Sequence, residues 1–569
     1  MRFKSRYLPI LSWSKNYNRA ALAADLLAAL VVTLMLIPQS LAYALLAGLP
    51  PVTGLYASIL PLVAYAVFGT SRTLSVGPVA VASLMTAAAI GQIAPAGSER
   101  YVEAAIALAL LSGFILLVLG LFRFGLIANL LSHPVVSGFI TASGLLIAVS
   151  QFGHLLGIPV AGDNLVALCV SLFKNVSRTH VITLALGVGG LLLLIAMRQK
   201  LSKTLVKLGL SAHAASLVSK AGPIFAVLIA TFIAWYFQLD KQGVALIGVI
   251  PQGLPVLQWH GFELLFSKEL IKAAFLIAII GYVESVSVGK TLGAKRRQQI
   301  DPDQELIALG TANLASGFSG GFPVTGGFSR SVVNFDAGAE TPAASLFAAI
   351  GVAMVAWAFT SWLSYLPKAI LAATIVVAVL ALVDFSVIRK SWRYSKTDFI
   401  AVLGTILVTL LLGVEMGVLS GVLASIVLHI YKTSRPHIAE VGLIEGTEHF
   451  RNIKRYRVLT YPHIVSLRVD ESLYFANAAF LENEIYTLIA SRPELKHVVL
   501  MCSAINEIDM SALEVLEAIN ERLGEQGIHF HFSEVKGPVM DALQRSDFMH
   551  HLHGQVFLTQ YQAIEAIKG

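Results

Sequence analysis

Nine nearly unbroken apolar runs, at 101–120, 135–153, 180–197, 223–237, 270–288, 345–362, 367–383, 398–412 and 414–431, constrain this chain most. A helix needs about 20 apolar residues to cross the hydrocarbon of a bilayer. Five further runs are interrupted or short. Run 22–47 holds Pro38, 55–68 holds Pro61, 78–91 starts at Gly77-Pro78, and 306–318 and 326–335 are brief. The expected count is about 14 segments, several too short to cross alone. Composition agrees. Hydrophobic residues make up 56% of the 569 and charged residues 13%, about half the share in a soluble protein. A soluble globular protein, a disordered chain and a fibre are excluded.

Lys and Arg set the orientation, because cytoplasmic loops are rich in them. The N-terminal segment (1–20) carries Arg2, Lys4, Arg6, Lys15 and Arg19. Later clusters are Arg198/Lys200/Lys203/Lys207, Lys290/Lys295/Arg296/Arg297, Arg389/Lys390/Arg393/Lys396 and Lys432/Arg435. With 14 segments, every cluster falls on the side of the N-terminus, so both ends are expected in the cytoplasm. These cations lie between apolar runs and mark topology; no nucleic-acid partner is expected. Ala21-Leu22-Ala23 resembles a leader cleavage triplet but precedes the apolar run, so the first span is expected to be retained. Cys169 and Cys502 fall in different parts of the chain, which argues against a disulfide framework.

The character changes after Arg435-Pro436. Residues 1–439 hold 30 Lys and Arg against 16 Asp and Glu, whereas residues 440–569 hold 11 against 18. Strands are expected at Ile464–Val469, His497–Ile505 and Ile528–Val535, and helices at Ala478–Ala490, Ser511–Gly524 and from Pro538 to Gln544. Alternating strands and helices predict a small cytoplasmic α/β domain over 440–569, following a transmembrane domain over 21–433.

Two stretches break the rules of a membrane helix. One is Thr73-Leu74-Ser75-Val76-Gly77-Pro78-Val79-Ala80, and the other is Phe322-Pro323-Val324-Thr325-Gly326-Gly327-Phe328-Ser329-Arg330-Ser331. Irregular backbone at membrane depth is tolerated only inside protein or against a cavity. Gly/Pro-broken segments at matching places in two halves point to a transporter binding site. The spacing matches: Gln39 precedes Gly77 by 38 residues, and Glu284 precedes Gly326 by 42. The chain therefore reads as two seven-segment repeats, inverted because seven is odd. Each break would present a helix N-terminus, whose free N–H groups and dipole favour an anion. Arg330 is costly at membrane depth and needs a carboxylate, a wet cavity or an anionic ligand. Glu284 is a candidate to carry a proton with the anion, or to serve as counter-ion to Arg330. Gln39 and Tyr43 share a helix face and can donate uncharged hydrogen bonds or act as interhelical ties.

Several motifs are similar to those of the sulfate permease (SulP) family of anion transporters. They are Ile37-Pro38-Gln39-Ser40-Leu41-Ala42-Tyr43-Ala44, Pro51-Val52-Thr53-Gly54-Leu55-Tyr56-Ala57-Ser58 with Phe68-Gly69-Thr70-Ser71-Arg72, Ser75-Val76-Gly77-Pro78-Val79-Ala80-Val81, and Phe328-Ser329-Arg330-Ser331. The trailing domain resembles the STAS (sulfate transporter and anti-sigma factor antagonist) domain. The resemblance implies 14 segments in two inverted repeats divided into core and gate domains, a homodimer, and a bacterial-type inner (plasma) membrane. It implies transport of sulfate, bicarbonate, chloride or dicarboxylates, by proton or sodium coupling or by exchange. By motif, Gln39, Tyr43, Ser329 and Arg330 match substrate-site positions, the backbone at Val79 and Ala80 faces the anion, and Glu284 matches the acidic position of proton-coupled relatives. Ser511, in Asp509-Met510-Ser511-Ala512-Leu513, matches a regulatory phosphoserine position, although Ala512 replaces the usual Gly; helix capping by Asp509 or Ser511 is the competing reading.

Other signals are set aside. Gly289-Lys290-Thr291 lacks the glycine a P-loop needs five residues earlier, where Glu284 stands. His550, His551 and His553 near a solvated helix do not make a metal site, His133-Pro134 reads as a turn, and no nucleophile–base set is visible. No cofactor, metal or enzymatic activity is expected. The leading expectation is proton-coupled sulfate symport by alternating access. Its alternatives are a bicarbonate or dicarboxylate carrier, with or without sodium, an exchanger or channel of the same fold, and a membrane sensor signalling through the STAS-like domain.

Overall fold

The computed structural model describes residues 7–129, 132–220, 222–258 and 262–568. Arg2, Lys4 and Arg6 lie outside them. The described chain divides into two compact units that meet at residues 425 and 426.

The first unit is helical. Helix α1 (Arg19–Leu46) starts where the Asn18 side chain accepts the Ala21 N–H at 2.8 Å. It runs through Pro38 without ending, so the interruption expected in run 22–47 is absent. Residues Ile37 to Ala44 are buried on all sides, and tight packing holds a turn that has lost one backbone bond. Run 55–68 does break, into helices Pro51–Tyr56 and Leu60–Phe68. A two-residue strand β1 (Val76–Gly77) and the short helix α2 (Ala80–Gly91) follow. Next come α3 (Glu99–Leu121) and α4 (His133–Ser150), then apolar helices at Val181–Ala196 and Gly222–Tyr236. The second half opens with α5 (Lys268–Lys295) and α6 (Pro302–Phe318), then strand β2 (Thr325–Gly326) and the nine-residue helix α7 (Phe328–Asp336). Helices Ala343–Ala358, Lys368–Leu380, Lys396–Leu412 and α8 (Val414–Ser434) complete the series. Among the described residues, seven helical stretches are long and apolar enough to cross a membrane by themselves. At 1.5 Å per residue, α2 and α7 reach only about 18 and 13 Å, roughly half the hydrocarbon thickness.

Close approach and buried carboxylates tie the halves together. Helices α3 and α6 touch backbone to backbone at glycines. A Cβ on Gly113 would stand 2.7 Å from Leu314 N, and one on Gly310 would stand 2.9 Å from Gly113 O. Small residues let membrane helices pack this closely. The buried Glu305 of α6 accepts Tyr65 Oη at 2.8 Å, Thr70 Oγ1 at 2.5 Å, and the N–H groups of Thr70 and Ser71 at 2.8 and 3.1 Å. Asp25 of α1 accepts Thr341 Oγ1 at 2.6 Å and the N–H groups of Glu340 and Thr341 at 2.7 and 3.1 Å. Such groups stay buried because nearly every lone pair has a donor.

The second unit carries the α/β domain. Its strands are β3 (Ile438–Leu443), β4 (Phe450–Asn452), β5 (Ile464–Val469), β6 (His497–Met501), β7 (His529–Ser533) and β8 (Val556–Phe557), in sheet order β4-β3-β5-β6-β7-β8. Strands β5 to β8 are parallel, and β3 runs antiparallel to both neighbours. Helices α9 (Ala478–Ser491), α10 (Met510–Glu525) and α11 (Gly537–Gln544) bury Leu481, Ile485, Leu516, Ile519 and Leu543 against Val465, Leu467, Phe530 and Phe532. Helix α12 (Gln560–Ile567) supplies Ala563 and Ile564 to a smaller core with Val441, Ile464 and Val499. The strand expected over His497–Ile505 ends at Met501, where the chain leaves the sheet.

Candidate anion site

Both breaks in the membrane unit come to one place. Val76 pairs with Gly326 and Gly77 with Thr325, antiparallel. Gly327 N donates to Ser75 O at 3.1 Å. This two-rung ladder satisfies backbone that helix geometry has abandoned, and it starts α2 and α7 side by side. No side chain caps either N-terminus: the residues before them are Val79 and Gly327, both extended. The first N–H groups of each short helix are left to whatever occupies the space ahead of them.

Arg330 lies between the two starts and is 2% exposed. Its Nη1 donates to Pro78 O at 2.5 Å, across the repeats. Among the described residues its Nε and Nη2 have no hydrogen-bond partner. The guanidinium lies against a glycine: a Cβ on Gly327 would stand 2.9 Å from Nη2. Gln39 and Tyr43 of α1 are both buried, and among the described residues Gln39 Oε1 has no partner. Tyr43, Glu284 and Arg330 lie within electrostatic reach of one another. Among the described residues no ion pair joins Arg330 to Glu284, so the guanidinium is not spent on that carboxylate. Glu284 lines a small apolar pocket with Val81, Val135, Phe139, Ile280 and Gly421, drawn from α2, α4, α5 and α8. Val79 and Ala80 are buried at the start of α2, and Ser329 is half-buried at the start of α7. The structure thus brings Tyr43, Val79, Ala80, Glu284, Ser329 and Arg330 into one region of the first unit, and Gln39 lies one turn before Tyr43 on α1.

Residues that sequence reasoning passed over build the frame. The hydroxyls of Ser285 and Thr325 lie 2.7 Å apart, and each donates to Gly281 O at 2.6 Å. Ser285 Oγ also accepts Gly326 N–H at 2.8 Å, pinning β2 to α5. Asn313 of α6 grips Val324 twice, with Nδ2 on its carbonyl at 2.8 Å and Oδ1 on its N–H at 2.9 Å. A polar residue within an apolar helical run was the available signal for both. In the α/β domain, Ser511 is exposed in the first turn of α10, and the helix is capped by Asp509, whose Oδ1 accepts Ala512 N–H at 2.8 Å.

Comparison with known proteins fits this geometry. Residues 22–405 match the model of the sulfate permease family, and residues 455–563 match the STAS domain. Sulfate transporter 4.1, chloroplastic, of Arabidopsis thaliana is 34% identical over 552 residues, covering 95% of this chain and 79% of that protein. The probable sulfate transporter Rv1739c of Mycobacterium tuberculosis is 33% identical over 558 residues, covering 97% of each. The solved structure of the murine Solute Carrier 26 family member A9 anion transporter in the inward-facing state superposes with a TM-score of 0.89 at 25% identity, covering 100% of this chain and 95% of that one. The transmembrane domain of the cyanobacterial bicarbonate transporter BicA gives a TM-score of 0.60 at 19% identity, covering 72% of this chain and 98% of that one. A candidate anion site at paired helix starts, a family match over the membrane unit and a trailing STAS domain lead to one conclusion: the chain belongs to the sulfate permease family of membrane anion transporters.

Proposed function

We propose that this protein carries sulfate across a bacterial-type inner membrane by alternating access, with a proton taken and released at Glu284. The observation that supports the reading is the buried guanidinium of Arg330, with two nitrogens unpartnered among the described residues, between two uncapped helix starts. A tetrahedral oxyanion accepts hydrogen bonds on several sides, which suits donors arriving from Arg330, Tyr43 and the two helix starts. The names of its relatives favour sulfate. Glu284 has no ion-pair partner among the described residues and faces the cavity, so proton exchange there can accompany anion entry. The half-helices and Arg330 bridge both repeats through β1 and β2. Displacing that assembly past α4 and α8 would open the anion to alternate sides. A homodimer with both termini in the cytoplasm is the expected form.

Proteoliposomes holding the purified full chain test this. Labelled sulfate uptake under an inward proton gradient is expected, and Arg330→Ala abolishes it. Full uptake in that variant would overturn the site. The bicarbonate reading is separated by competition: unlabelled bicarbonate or dicarboxylate outcompeting sulfate, with or without sodium, would replace sulfate as the cargo.

A further inference from the structure

One turn of α7 holds the first repeat's extended segment at successive points. Arg330 Nη1 takes Pro78 O. Ser331 Oγ accepts Ser75 N–H at 3.0 Å while donating to Gly327 O at 2.7 Å, one turn back on its own helix. Asn334 Nδ2 donates to Thr73 O at 3.0 Å. All four residues of the two lower rungs, Thr73, Ser75, Ser331 and Asn334, are buried. Ser75 N–H and Thr73 O are backbone groups of a non-helical stretch inside a membrane protein, where water cannot replace a lost partner. The ladder β1–β2 takes up Val76 and Gly77 only. Before it, Ser75 O takes the Gly327 N–H, while Ser75 N–H and Thr73 O are held by side chains of the other repeat.

We infer that Ser331 and Asn334 are positioning residues for the anion site: by gripping Ser75 and Thr73 across the repeats, they set where the α2 N-terminus points. The inference rests on the anion-carrier reading for its transport readout but not for its structural one. Ser331 need not touch the anion, since its hydroxyl is already used as donor and acceptor. Asn334 sits a full turn beyond the helix start. A residue that merely filled space would affect stability evenly. These two act on one strand and one helix terminus, so their loss falls on anion affinity first.

Two measurements on the full-length protein decide it. In proteoliposomes, Ser331→Ala and Asn334→Leu are each expected to raise the apparent KM for sulfate about tenfold, the cost of one lost hydrogen bond, with maximal uptake little changed. Ser331→Thr keeps the hydroxyl and restores the native KM. In detergent or nanodiscs, hydrogen exchange read by mass spectrometry is expected to quicken over 73–79 in both loss variants and nowhere else. Unchanged exchange over 73–79 overturns the inference, whatever uptake does. Exchange that rises through every helix, with KM and maximal uptake falling together, also overturns it in favour of a general packing role. A native protein that moves no sulfate sinks the carrier reading instead, while the exchange measurement still decides the grip of α7.

Discussion

His531 in β7 sits among imidazoles with a defined direction of hydrogen bonding. Gln555 N–H donates to its Nδ1 at 3.1 Å, so its proton is on Nε2, which faces His497 Nδ1 at 3.1 Å. The His497 ring lies 5.3 Å from that of His531 and 5.4 Å from that of His529, with His463 at 6.4 Å. Burial, then His497 and His529, pushes His531 down to about 4. Burial, then His529, His463 and Lys496, also lowers His497. The unfolded chain, with ordinary histidines, binds more protons than the folded domain between about pH 4 and 6.5. The stabilising contribution is therefore complete above about 6.5 and is lost as pH falls toward 4. For His531 it is on the order of 3 kcal/mol. The α/β domain's melting temperature should drop steeply from pH 7 to pH 4.5. His531→Asn can still accept from Gln555 without titrating, so it should flatten that profile; an equally steep profile in the variant would assign the effect elsewhere.

At the level of elements, the two breaks were legible because an apolar run cannot continue through Gly77-Pro78 or Pro323 to Gly327 without leaving helix geometry. Their matched spacing from Gln39 and Glu284 was legible too. Their partnership was not. Hydrogen bonds from Ser285, Asn313, Ser331 and Asn334 join positions as much as 261 residues apart, and no local pattern encodes them. Pro38 misled for the same reason, since packing around α1 decides whether a proline ends a helix. In the α/β domain, β3 escaped detection because Glu440 and Gly442 spoil the apolar alternation, and β4 and β8 are only three and two residues long. Gly327 shows how element geometry serves the site. A methyl group there meets the mobile end of Arg330 at 2.9 Å from Nη2, not fixed backbone. Gly327→Ala should therefore leave the fold's melting temperature close to native and displace the guanidinium from its place between the half-helices. Sulfate uptake should fall sharply. A variant with native uptake would show that the site tolerates a shifted Arg330.

Across the whole molecule, charge and packing assign separate work to the two units. Every residue of the candidate anion site, from Gln39 to Arg330, belongs to the first unit, and the pocket beside Glu284 is lined by Gly421 and Val422 before that unit ends. The acidic second unit has its own sheet with cores on both faces. Sites that share no partners act nearly independently, to within a few tenths of a kcal/mol. A chain ending at Arg435 should thus bind sulfate with a KM within about twofold of native. Maximal uptake is where a regulatory domain would register. A changed rate at constant KM identifies the STAS domain as a governor of carrier motion, and an unchanged rate would leave it free to report the carrier's state to a soluble partner. A KM shifted tenfold or more would mean that the domain helps to shape the anion site, and the division drawn from burial and hydrogen bonding would have to be abandoned.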